Sequence, residues 1–321
     1  MAEKPTTIKS KTFLKYLLHL AIISGVLFAA FNYLDWDEVV FALGLFDLAY
    51  LVPILIISAA YVFLKGWRFI YLMRPVTDIP ADVIFRGFVA GAAVTILPAG
   101  VAARVGLMGQ AGVPITKSTG PVILSSLLDQ IAFVLGAIIS AIWFQPARLP
   151  AFILTGVILL IALAYSLQPL RKWFSKLIRW ILNQVNLQSQ ANQFKRAWQL
   201  VAAPRVLMIT FGMTLVCVLM QVVMLDLSLR GLGLVLPYPI LFLAYILPAI
   251  IGRNSVIPGG FGITEAGMVG FLTLVANVDL NLGAAGVAIF RASTVIFQVF
   301  IGAVFYTFAW HGEVERSENR I

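Results

Sequence analysis

Arg253-Asn254-Ser255-Val256-Ile257-Pro258-Gly259-Gly260-Phe261-Gly262-Ile263-Thr264-Glu265-Ala266 is the stretch that decides how this chain is built. An apolar run from Ile240 to Ile251 leads into it, short for a membrane span, which takes about 20 residues. A proline and three glycines then break the helical geometry, and helical character resumes from Thr264 to Val275. Irregular backbone at membrane depth is tolerated only where it is buried in protein or lines a cavity. The same pattern occurs earlier. From Val83 to Met108 the chain is apolar but interrupted by Thr95, Pro98 and Gly100, and Ile96-Leu97-Pro98-Ala99-Gly100 echoes Val256-Ile257-Pro258-Gly259-Gly260.

The rest of the sequence supplies the setting for these two breaks. Of 321 residues, 61% are apolar and 12% charged, against about 25% charged in an average soluble domain. A water-soluble fold has no place for that much apolar surface, so the fold class is all-α and polytopic, with the bilayer as solvent. The net charge of +9 resides mainly in inter-helix loops, which points to topology and anionic lipid and away from nucleic acid. Cys217 is the only cysteine and His19 and His311 are isolated, so neither an intrachain disulfide nor a metal cluster is expected. No cofactor signature is present.

Working outward, Lys4, Lys9 and Lys11 precede an apolar run from Phe13 to Leu34, too long for a secretory signal and read as a first span with a cytoplasmic N-terminus. An acidic loop with Asp35, Asp37, Glu38 and Asp47 follows and is assigned to the outside. A second span, Leu48 to Met73, ends in Lys65, Arg68 and Arg74. Spans are expected at Pro121 to Phe144, Pro150 to Leu167, Val206 to Leu229 and Ala284 to Trp310. Between residues 168 and 205 lies an amphipathic segment, with Arg171, Lys172, Lys176 and Arg179 opposite an apolar face. It reads either as a helix on anionic headgroups or as a solvated positive-inside loop. The organisation is one transmembrane domain of two halves, about 13–167 and 206–310. Each holds a broken or re-entrant helix pair, one entered from each side, which is the arrangement of an inverted repeat and of many transporters.

Ionisable groups at membrane depth cost about 2.5–3.5 kcal/mol each, so Arg104, Asp129, Asp226, Arg253, Glu265 and Arg291 are the functional candidates. A half-helix starting after Pro258-Gly259-Gly260 would aim free N–H groups and its positive dipole end into the membrane, where Arg253 and Arg291 add charge suited to a phosphate. Glu265 is open to three roles: taking up a proton, holding a cationic headgroup, or pairing with Arg253 or Arg291. Asp129 reads as capping or pairing locally, and Asp226 as lying near a membrane face. No Gly-Lys-Ser/Thr loop, His-Glu-x-x-His or Gly-x-Ser-x-Gly motif occurs, so an enzyme is not expected.

Arg253-Asn254 followed by Pro258-Gly259-Gly260-Phe261-Gly262-Ile263-Thr264-Glu265-Ala266 resembles the signature of the lysylphosphatidylglycerol synthase transmembrane, or flippase-like, family, with weaker similarity from Phe13 to Trp310. The resemblance implies a stand-alone member whose domain moves lipids between leaflets. It implicates Arg253, Asn254, Pro258, Gly259, Gly260, Gly262 and Glu265, with Arg291 similar to an Arg of the last spans. Two positions depart from the family pattern. Thr264 stands where an Arg is common, and Pro98-Ala99-Gly100-Val101-Ala102-Ala103 stands where Pro-Gly-Arg-x-Gly-Glu is usual. With no aminoacyl-transferase region among these residues, the chain is not expected to make an aminoacylated lipid. The leading expectation is therefore a flippase for an anionic or phosphate-bearing lipid in a bacterial inner membrane, its substrate held by these residues and Arg104. The alternative is a non-transporting scaffold subunit for a lipid or glycan biosynthetic enzyme.

Overall fold

In a computed structural model the chain is described at residues 34–94, 100–145, 196–255 and 260–310, and at the isolated positions 148, 152 and 156. The expected first span, the basic amphipathic segment and the C-terminal tail lie outside the described residues, as does the span from Pro150 to Leu167 apart from Phe152 and Gly156. Every described element is helical. They are α1 (Trp36–Gly44), α2 (Leu51–Met73), α3 (Ala81–Ala90), α4 (Gly100–Gln110), α5 (Ile115–Trp143), α6 (Pro204–Arg230), α7 (Tyr238–Asn254), α8 (Ile263–Ala276), α9 (Leu280–Arg291) and α10 (Phe297–Phe305). One-turn π segments, Ala292–Ile296 and Tyr306–Trp310, continue α9 and α10 into a single apolar helix of 31 residues. That helix, α5, α6 and the run Leu48–Met73 are long and apolar enough to cross a membrane, and the chain is a multi-pass membrane protein.

Several boundaries differ from the sequence reading. The span expected from Pro121 begins at Ile115. Pro121 leaves a carbonyl one turn back without its donor, yet the helix runs on through it, and in its first turn the Ser118 and Thr119 hydroxyls donate to carbonyls of Pro114 and Ile115. Arg253, beyond the apolar run Ile240 to Ile251 of the sequence reading, is in the last turn of α7, which tolerates Pro248 in its interior.

Hydrogen bonds fix which ends of the helices lie together. The Asp47 N–H donates to Gly231 O at 2.8 Å, so the start of α2 meets the end of α6, whereas Arg68, near the other end of α2, reaches Thr214 in the first half of α6. The two long helices are therefore antiparallel. The Asp35 N–H donates to Asn281 Oδ1 at 3.0 Å, which brings the start of α9 to the same acidic face. Between the end of α6 and the start of α9 the chain makes α7 and α8, packed against each other, so this pair is a hairpin entering and leaving by the acidic face. Gly267 packs on Pro248, and a Cβ at Gly252 would come within 2.0 Å of Thr264 Oγ1, so the arms touch at both depths. Gly260 and Gly262, at φ +66° and +81°, turn the chain between them in a region that favours glycine.

The pair α3 and α4 is turned the other way. Trp310, at the far end of the last helix, donates its Nε1–H to Gln110 Oε1 at 3.1 Å and packs over Gly87 and Met108. This second hairpin thus opens on the face opposite the acidic one. Contacts between the halves are reciprocal: α7 packs on α5 while α3 packs on α10, and α2 packs on α6 between them.

Candidate functional site

Asp129 lies fourteen residues after Ile115 and thirteen before Ile142, in the middle of a helix about 42 Å long. Three cations converge on it. Arg68 Nη1 reaches Oδ1 at 2.6 Å, and Lys65 Nζ and Arg253 Nη1 each reach Oδ2 at 3.3 Å. Lys65 and Arg68 share one face of α2, and Arg253 comes from the tip of the α7–α8 hairpin, so that tip lies at the depth of mid-α5.

The three cations are held unequally. The Arg68 side chain is 1% exposed and also donates to Ser125 Oγ at 2.7 Å and Thr214 Oγ1 at 2.6 Å, which locks its fork to α5 and α6. Thr214 passes its own proton to Thr210 O. Arg253 keeps 34% of its side chain exposed and stacks on Phe133 with its guanidinium carbon 4.5 Å from the ring centre. Lys65 lies 5.0 Å from the Tyr61 ring centre. Beside the cluster is a narrow, partly open recess with room for little more than one water molecule, lined by Tyr61, Gln221, Tyr245 and the charged groups.

Arg104 of α4 is a fourth cation within electrostatic reach of Asp129, Arg68 and Arg253. Its stem fills the space left by Gly91, its guanidinium carbon lies 5.0 Å from the Phe88 ring centre, and its Nε is buried without a hydrogen-bond partner among the described residues.

The start of α8 is organised differently from the sequence reading. Glu265 turns back so that its Oε2 accepts from the Gly262 N–H at 2.7 Å, and its other oxygen pairs with Arg291 Nε. The positive end of this half-helix is thus occupied by the helix's own carboxylate and is not an open phosphate site. Arg291 also lies over Phe261, immediately before a π turn that reshapes the last helix. Arg253 and Arg291, expected to act together, serve separate carboxylates, with Tyr245 between their surroundings.

One further expectation is corrected. Asp129 does not pair locally; its partners are 61, 64 and 124 residues distant in sequence. Asp226 lies near the acidic end of α6, as expected, where it is 4% exposed and paired with Arg230 at 2.8 Å one turn on. Gly260 and Gly262 make the hairpin turn, and Asn254 ends α7. Pro258 and Gly259 lie outside the described residues. Sequence reasoning missed Lys65 and Arg68, taken as loop-proximal topology charges. The available signal was spacing: Lys65 and Arg68 three apart on one helix, Ser125 and Asp129 four apart on another. Among the described residues no three His, Cys, Asp or Glu gather as they would around a metal ion.

A multi-pass helical protein with a hairpin tip and a cation-rich cluster at membrane depth is the class this geometry defines. Residues 16–302 match the family described as Lysylphosphatidylglycerol synthase TM region, and the chain belongs to that family. No curated protein matches the chain.

Proposed function

We propose that this protein is a lipid translocase that carries an anionic, phosphate-bearing headgroup between leaflets. The observation that supports the reading best is the gathering of Lys65, Arg68 and Arg253 on one carboxylate at mid-depth, where charge is expensive and marks a pathway. Asp129 holds the place of the headgroup while the site is closed. Arg253, at a hairpin tip and a third exposed, is the partner that transfers from Asp129 to an incoming phosphate, while Arg68 stays fixed by Ser125 and Thr214. A recess of that size does not admit a lipid headgroup, so the α7–α8 hairpin has to move away from α5 to open it. The antiparallel α2 and α6, the oppositely opening hairpins and the reciprocal contacts support an inverted repeat, the architecture in which such movement alternates between the two sides. On this reading the protein works in a bacterial cytoplasmic membrane with its N-terminus inside, and no bond in the lipid is made or broken.

The test is reconstitution into vesicles carrying dithionite-quenchable anionic phospholipids, with Arg253→Ala and Glu265→Gln compared with the wild type. Wild-type protein should accelerate exchange, Arg253→Ala should abolish it while remaining folded, and Glu265→Gln should slow it by loosening the hairpin tip. If none of several anionic lipids moves, translocation is refuted and a non-transporting scaffold becomes the better reading.

A further inference from the structure

We infer that the headgroup taken by the recess beside Asp129 carries two negative charges, as a phosphomonoester at the end of a lipid does. This rests on the translocase reading and narrows its substrate class. Three cations share one carboxylate, which leaves two positive charges unmatched, three less one. Arg104, whose buried Nε is without a hydrogen-bond partner among the described residues, adds to the excess.

Among the described residues no further carboxylate reaches the cluster. Asp35, Asp47 and Asp279 cap helix or turn starts at the acidic face, where Asp37 and Glu38 also lie. At the other end Asp82 pairs with Arg86, and Asp78 is exposed. Asp226 belongs to Arg230 and Glu265 to Arg291. Glu3, Glu313, Glu315 and Glu318 lie outside the described residues, among which Asp129 is the one carboxylate of the cluster. Unmatched charge at membrane depth is costly, so the recess calls for a counter-ion from outside the chain.

A phosphodiester brings one negative charge and leaves one of the three cations on Asp129 unmatched. A phosphomonoester carries about two at neutral pH, matches the excess of those three cations over Asp129 with Arg104 remaining as a further cation beside them, and offers three oxygens to forked guanidinium donors. Tyr61, Tyr245 and Gln221 also line the recess. A lysylated phosphatidylglycerol headgroup has one phosphate and two amines and is net cationic, so the cluster repels it.

The experiment measures binding of short-chain phosphatidate, phosphatidylglycerol, lysyl-phosphatidylglycerol and inorganic phosphate to the full chain in an uncharged detergent, with leaflet exchange of the same lipids followed in vesicles. At about pH 7.5 phosphatidate should bind roughly tenfold tighter than phosphatidylglycerol, and the ratio should fall toward one near pH 5, where the monoester regains a proton of pKa about 6. Both lipids meet the same Tyr61, Lys65, Asp129, Cys217, Tyr245 and Arg253, with Arg68 and Arg104 behind them, so the ratio isolates the ligand's proton. Lys65→Gln and Arg253→Gln, each removing one charge, should lower the ratio, and Arg253→Lys should restore it. Phosphatidylglycerol or its lysyl form binding as tightly as phosphatidate overturns the inference, and inorganic phosphate binding as tightly as phosphatidate overturns the lipid carrier. If phosphatidate binds in the expected order but no lipid crosses, the translocase reading fails while the charge inference stands; if phosphatidylglycerol crosses faster than phosphatidate, the reverse holds.

Discussion

Replacing Asp129 by Asn keeps the shape of the side chain and removes the charge on which three helices converge. Arg68 dominates the cost, because a side chain 1% exposed has no route to water once its counter-ion is gone. Breaking a buried pair by removing one partner costs about 3–5 kcal/mol. Lys65 and Arg253 retain 15% and 34% of their side-chain exposure and can turn outward, so each adds at most about 1 kcal/mol. The expected loss is therefore about 3–7 kcal/mol, a large share of the roughly 5–15 kcal/mol by which folded proteins are stable. Graded unfolding by dodecyl sulfate in mixed micelles, followed by far-ultraviolet circular dichroism, measures it. Adding Arg68→Met removes the stranded charge while keeping most of the apolar stem, and more than half of the loss should return. A loss below about 1 kcal/mol for Asp129→Asn, or strict additivity in the double variant, refutes the cluster as the knot that ties α2, α5 and α7.

The hairpin tip gives a second test. Gly252→Ala puts a methyl 2.0 Å from Thr264 Oγ1 and should cost about 1–3 kcal/mol in the same unfolding assay, with Thr264→Ala in the same chain recovering part of it. Gly302→Ala meets the Ala93 backbone nitrogen at 2.3 Å and should lower the unfolding midpoint clearly, whereas Gly136→Ala meets only the mobile Cδ1 of Ile246 and should change stability by less than about 1 kcal/mol. Glu265→Gln leaves Arg291, 18% exposed, without its counter-ion and should destabilise by about 1 kcal/mol, and adding Arg291→Met should restore most of it; an unchanged double variant would show that the pair is not the cause.

Much of the fold was legible because apolar length and broken periodicity are direct consequences of the bilayer. Four helices long enough to span were recognisable as runs, and Pro258 with its glycines marked the turn that Gly260 and Gly262 make at positive φ. Boundaries were less legible where polar residues sit inside a helix. Lys117, Ser118 and Thr119 precede the span expected from Pro121, yet they belong to the first turn of α5, where the two hydroxyls donate to carbonyls of Pro114 and Ile115. Arg253 read as lying beyond the helix because a charge and a glycine end most apolar runs, but α7 continues for the turn that brings its guanidinium to Asp129.

The site was legible as a set of residues and not as a set of partners. Spacing along a helix says which side chains share a face, but not which face of another helix it meets, and every ion pair of the Asp129 cluster is long-range. Glu265 shows the reason most plainly. At the third position of α8 it is close enough to its own helix start to accept the Gly262 N–H, so the local bond wins and the anion site implied by the helix dipole is filled from within. Its remaining charge is then matched by Arg291, which leaves Arg253 free of that pair and available to Asp129. The self-capped helix is therefore the step that moves the cationic excess from the hairpin's helix terminus to the middle of α5, and the ligand's charge has to be reasoned from there.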